Sequence, residues 1–251
     1  MADLPKGSKK LLNAWAFYDW ANSVYPLVIT SAVFPIFYEA LFSDRSHYIA
    51  VFGFSVKNSA LISFVTAFAF LIVALFSPLL SGISDYVGNK KKFMKFFCYL
   101  GALSCVGLYW FSLENIYISL LFYFLGLIGF WGSLVFYNSY LPDIAFTEQQ
   151  DEVSARGFSF GYVGSVLLLI VNLAMIMMPD VFGISGTKGE AAMKAMRYSF
   201  IMVGIWWIIF SQYTYYYLPK GNKIVASQLK KNIIFNGYKE LQKVWHLLAE
   251  N

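Results

Sequence analysis

Residues 58–82 read NSALISFVTAFAFLIVALFSPLLSG, and not one of them is charged. As a helix this stretch is roughly 37 Å long at the usual rise per residue. That is enough to cross the hydrocarbon core of a bilayer, about 30 Å. Polar and apolar residues do not alternate with period two, the pattern a membrane-spanning strand needs. The stretch reads as a transmembrane helix, and the rest of the chain is written in the same way.

Five further apolar stretches surround it: 13–42, 93–112, 116–141, 157–178 and 198–218. The first is long enough to tilt or kink at Pro26 and Pro35. Hydrophobic residues make up 59% of the 251 and charged residues 13%, against about a quarter charged in soluble domains. A single soluble core of this size cannot hide so much Phe, Leu, Ile and Trp. The expectation is an all-α membrane protein with six spans joined by short connections. Residues 1–12 precede the helices and residues 219–251 follow them. In that last segment Tyr238, Leu241, Val244, Trp245 and Leu248 recur at helical spacing among basic residues. This predicts an amphipathic surface helix, broken near Gly237.

The basic residues set the orientation. With the N-terminus in the cytoplasm, fourteen of the 19 Lys and Arg fall in inside segments. Among them are Lys6, Lys9, Lys10, the Lys90–Lys92 run and Lys220. Arg45, Lys57, Lys188, Lys194 and Arg197 fall outside. The positive-inside rule then predicts both termini in the cytoplasm. The net charge of +5 therefore points to a membrane surface and not to nucleic acid. Lys6, Lys9 and Lys10 before an apolar run resemble the start of a secretory signal. However, Asp19, Asn22 and Pro26 interrupt that run, and no small-residue cleavage site follows, so an uncleaved first helix is expected.

Polar groups inside the spans are the candidates for function. Asp19, Asn22, Ser23, Pro26 and Thr30 fall at i, i+3, i+4, i+7 and i+11, one face of a helix. A carboxylate at mid-bilayer costs roughly 2.5–3.5 kcal/mol on insertion scales. Two readings follow: the stripe lines a cavity or polar network, or Asp19 snorkels to the near surface. Gly126, Gly129 and Ser133 mark a small-residue face on the fourth span, and Gly157, Gly161 and Ser165 mark one on the fifth. Such faces let helix backbones approach closely in lipid. Asn138 and Asn172 are the amide side chains of those two spans, open to interhelical hydrogen bonding or to substrate contact. Cys98 and Cys105 are seven residues apart on one helix, too far for a disulfide. His47 and His246 stand alone, and no metal-ligand spacing, phosphate loop or nucleophile elbow occurs. The sequence predicts no enzyme, no metal and no cofactor.

Between the second and third spans runs Asp85-Tyr-Val-Gly88-Asn-Lys90-Lys91-Lys92. This hairpin resembles the signature between helices two and three of the major facilitator superfamily. It departs at Ser81, usually Gly, at Tyr86, usually basic, and at Asn89, often Arg. Three more segments, 14–23 (AWAFYDWANS), 137–145 (YNSYLPDIA) and 154–164 (SARGFSFGYVG), are similar to the branch related to the autophagy-linked vacuolar amino-acid effluxer. The resemblance covers essentially the whole chain. It implies half of a secondary transporter working by alternating access, with a small solute, amino acids foremost, near the midplane. Asp19, Asn22, Thr30, Asn138 and Asn172 are then cavity candidates, while Asp85, Gly88, Lys90 and Lys91 form a gating hairpin. It also implies a second six-helix half, in cis or in trans. The membrane would be the bacterial cytoplasmic membrane, or the vacuolar one in a eukaryote. A scaffold or truncated remnant that transports nothing is the competing expectation.

Overall fold

The computed structural model describes residues 4–42, 47–87 and 89–220, with the side chains of 81–87 excepted. The predicted surface helix within 219–251 lies, from 221 onward, outside the described residues. The first span is built in three pieces. Helix α1, Lys9–Asn22, runs into a π-helix over Tyr25–Val33, and α2, Phe34–Ala40, completes the crossing. The other spans are α3 (Asn58–Val87), α4 (Lys90–Gly107), α5 (Ile116–Ile144), α6 (Thr147–Met177) and α7 (Lys188–Tyr217). All six crossings are long and apolar enough to span a membrane.

The prolines account for the three-piece first span. Pro26 and Pro35 each remove a backbone N–H from the ladder. Over Tyr25–Val33 the ladder widens, and the Thr30 hydroxyl donates to the Pro26 carbonyl at 2.7 Å. A Thr that bonds back one turn is a known way for a helix to adjust around a defect.

Helices α6 and α7 begin well before the apolar stretches at 157 and 198. Their first turns are polar but carry their own caps. Thr187 and Glu190 cap α7 reciprocally: the Glu190 carboxylate accepts from Thr187 N at 3.0 Å, and Thr187 Oγ1 accepts from Glu190 N at 3.4 Å. Gln149 Oε1 accepts from Phe146 N at 3.1 Å at the start of α6. Hydropathy marks the lipid-buried part of a helix, whereas capping decides where the helix starts.

One element departs from the all-helical expectation. Strands β1 (Tyr48–Val51) and β2 (Phe54–Lys57) pair antiparallel between the first two spans. Phe52 and Gly53, at φ 51° and 81°, make the two-residue turn, the geometry that matches strand twist. The Phe52 ring rests on Tyr117, 5.2 Å between centroids.

Helix α4 packs on α5 and α7, α1 packs on α6 and α7, and α3 leans on α5. Gly101 and Gly129 bring α4 and α5 into close approach: a Cβ on Gly129 would stand 2.3 Å from the Gly101 backbone. Aromatic rings fill the remaining core: Trp15 stacks on Tyr137 at 4.2 Å, Phe34 on Tyr123 at 4.5 Å and Tyr25 on Phe130 at 5.1 Å. Both cysteines are free and buried. By contrast, α3 and α6 turn many large apolar side chains outward, among them Phe64, Leu75, Phe158 and Ile170. Apolar faces of that extent belong against lipid or another helical bundle.

Candidate functional site in the first span

Asp19 sits three residues before the end of α1 and is buried, with 8% of its surface exposed. The Tyr137 hydroxyl of α5 donates to its Oδ2 at 2.9 Å. Helix α6 closes the third side. A Cβ on Gly157 would lie 2.5 Å from Asp19 Oδ2 and 3.2 Å from the Tyr137 hydroxyl. One turn further, a Cβ on Gly161 would lie 2.5 Å from Ser23 Oγ. The glycine face of α6 is thus the notch that receives the polar face of the first span.

Among the described residues no Lys, Arg or His makes an ion pair with Asp19. The nearest basic residue in α6, Arg156, is engaged elsewhere: its guanidinium donates to Asn13 and, at 2.6 Å, to Glu152. Asp19 is thus a buried carboxylate with a hydroxyl donor and no cation partner among the described residues.

The rest of the stripe divides. Asn22 is buried at 1% exposure; its Oδ1 accepts from Ser23 at 3.3 Å, and its Nδ2 has no partner among the described residues. Ser23, Pro26 and Thr30 are half-buried, and Ser31 is exposed. The face therefore runs from a closely packed contact at Asp19 to a more open flank along the π-helix.

Asn138 and Asn172 stand apart from this contact. Asn138 is exposed on α5 beside Tyr137, so the residue of α5 that reaches Asp19 is the tyrosine. Sequence spacing alone did not single out Tyr137, although it lies in one of the three segments that carry the resemblance. Asn172 is fully buried on the α6 face shared with Gly161 and Ser165, and neither amide atom has a partner among the described residues. Ser165 donates to Gly161 O at 2.6 Å within its own helix.

The hairpin after α3 is described in part. Asp85 lies in the last turn of α3, but its side chain and Gly88 lie outside the described residues. Lys90 reaches Asp143 at the end of α5, Nζ to Oδ2 2.8 Å, and the Ser139 carbonyl at 3.2 Å. Lys91 donates to the Leu218 carbonyl at the end of α7, at 2.6 Å. Lys6 donates to Pro142 O at 2.7 Å, and Tyr140 to Pro219 O at 3.1 Å. The start of the first span and the end of the sixth therefore meet at one end of the bundle, tied across α4 and α5. No group of His, Cys, Asp and Glu among the described residues forms a metal site.

Comparison with known proteins agrees with this architecture. Over 226 residues the chain is 35% identical to YxiO of Bacillus subtilis (strain 168), described as an uncharacterized MFS-type transporter; the match covers 87% of this chain and 50% of that protein. An uncharacterized protein of Aquifex aeolicus (strain VF5) is 30% identical over 175 residues, 69% of this chain and 41% of the other. The chain spans about half the length of the curated relatives it matches. No solved structure matches significantly. The family model for vacuole effluxers like Atg22 matches residues 7–251, and the chain belongs to that family.

Proposed function

We propose that this chain is the N-terminal half of a secondary active transporter that exports amino acids or similar small solutes. The observation that carries the reading is Asp19: a buried carboxylate with no cation partner among the described residues, held by Tyr137 in a notch of glycines. An α-ammonium group or a proton is the natural counterpart of such a group. Asn22 and Thr30 extend the polar face along the first span, and Asn172 and Asn138 supply further polar groups on α6 and α5. Both termini lie on the cytoplasmic side, where the basic residues concentrate.

A second six-helix half, in cis or in trans, completes the cavity and covers part of the apolar surface of α3 and α6. The hairpin of Asp85, Gly88, Lys90 and Lys91 is the gate. Its Lys90–Asp143 pair makes and breaks as the two halves rock, a two-state element of the kind alternating access requires. The test is a flux measurement in proteoliposomes that hold both halves, using a panel of labelled amino acids. Saturable uptake of at least one of them supports the reading. Movement of none of them, with a natively folded protein, refutes it.

A further inference from the structure

Lys91 is buried, at 6% exposure, at the second residue of α4. One turn on, Lys95 lies over the Tyr215 ring of α7, 5.0 Å from its centroid. Lys95 and Lys220 are both close enough to Lys91 to act on it electrostatically. None of the three makes an ion pair among the described residues. The carboxylate at this end of α5, Asp143, is taken by Lys90. What the cluster has instead is the Leu218 carbonyl, which accepts from Lys91 at 2.6 Å. The C-terminus of a helix carries about half a negative charge, too little for three ammonium groups, one of them buried. Unpaired buried charge is costly enough that an anion is expected to complete such a site.

The surroundings indicate which anion. Helices α4 and α7 stay in contact beyond the lysines, where the Tyr99 hydroxyl donates to Gln212 at 3.3 Å. Beyond that pair the exposed side chains beside the contact are apolar, Leu103 on α4 and Ile209 on α7. A cationic mouth at the bilayer surface that opens onto an apolar flank matches a phosphate headgroup followed by an acyl chain. Basic pockets between transmembrane helices bind anionic lipids in this way. We propose that the surface where the start of α4 meets the end of α7 binds the phosphate of an anionic membrane lipid, held by Lys95 and Lys220 with the buried charge of Lys91 behind them.

Native mass spectrometry tests this on the whole chain, offered phosphatidylglycerol or phosphatidylcholine in mixed micelles. One phosphatidylglycerol should stay bound per chain while phosphatidylcholine is lost. Lys95→Gln should weaken retention about fivefold, the effect of one surface cation, and Lys220→Gln less, since Lys220 is more exposed. Lys57→Gln, at the other end of the second span, should leave retention unchanged. Equal retention by the parent, Lys95→Gln and Lys220→Gln overturns the assignment. So does release of the lipid by millimolar inorganic phosphate together with thermal stabilisation by phosphate in neutral lipid, which would identify free phosphate as the occupant.

Discussion

At the scale of single residues, the Asp19 contact depends on Gly157. Any side chain there must displace the Asp19 carboxylate or push α6 away from α1. Gly157→Ala should therefore destabilise the bundle by about 1–3 kcal/mol, the usual cost of overpacking a filled site. Thermal unfolding in detergent would show it as a lower midpoint than the parent's; an unchanged midpoint would mean that the notch has room to spare. Tyr137→Phe removes the one hydroxyl that donates to Asp19. It should lower transport while leaving the fold intact, because the ring can keep its stack on Trp15. Asp19 was legible in the sequence because a carboxylate within an apolar run is conspicuous. Tyr137 was not, since a tyrosine among aromatics carries no mark of which way its hydroxyl points.

At the scale of elements, small residues decide which helices meet. Gly126, Gly129 and Ser133 could be read as a packing face from spacing alone, but the partner of Gly129 could not. It is Gly101 of α4, which also receives the Trp207 ring, while Gly204 of α7 sits against the backbone at Ala102. Gly204 shows no small-residue period of its own, and Gly101 is spaced with Cys98 and Cys105, whose pattern does not name its partner helix. Gly129→Val places a branched side chain where even a Cβ would overlap backbone. It should abolish the folded bundle, read as loss of monodisperse protein in size-exclusion chromatography; full recovery of folded protein would contradict the crossing. The β-hairpin and the π-helix were also beyond the pattern. The first depends on a Phe-Gly turn that hydropathy does not register, and the second on how the chain redistributes bonds around Pro26. Capping chemistry, not apolarity, set the starts of α6 and α7.

At the scale of the whole molecule, six crossings follow from the apolar lengths, and the two ends of the bundle differ in charge. The end where the start of the first span meets the end of the sixth gathers Lys6, Lys90 and Lys91 into ties across α4, α5 and α7. If that end is cytoplasmic, single cysteines at Gly53 and Gly186 label from outside intact cells and one at Asn89 does not. Labelling at Asn89 from outside would invert the orientation.

The central claim is that Asp19 exchanges a proton or an ammonium group during transport. Its direct test is uptake into proteoliposomes holding both halves, measured across a pH series for the parent and for Asp19→Asn. Protonation neutralises a carboxylate and Asn is permanently neutral, so the parent's rate should change with pH while the variant's stays low and flat. A variant with the parent's rate and the parent's pH profile would contradict the account.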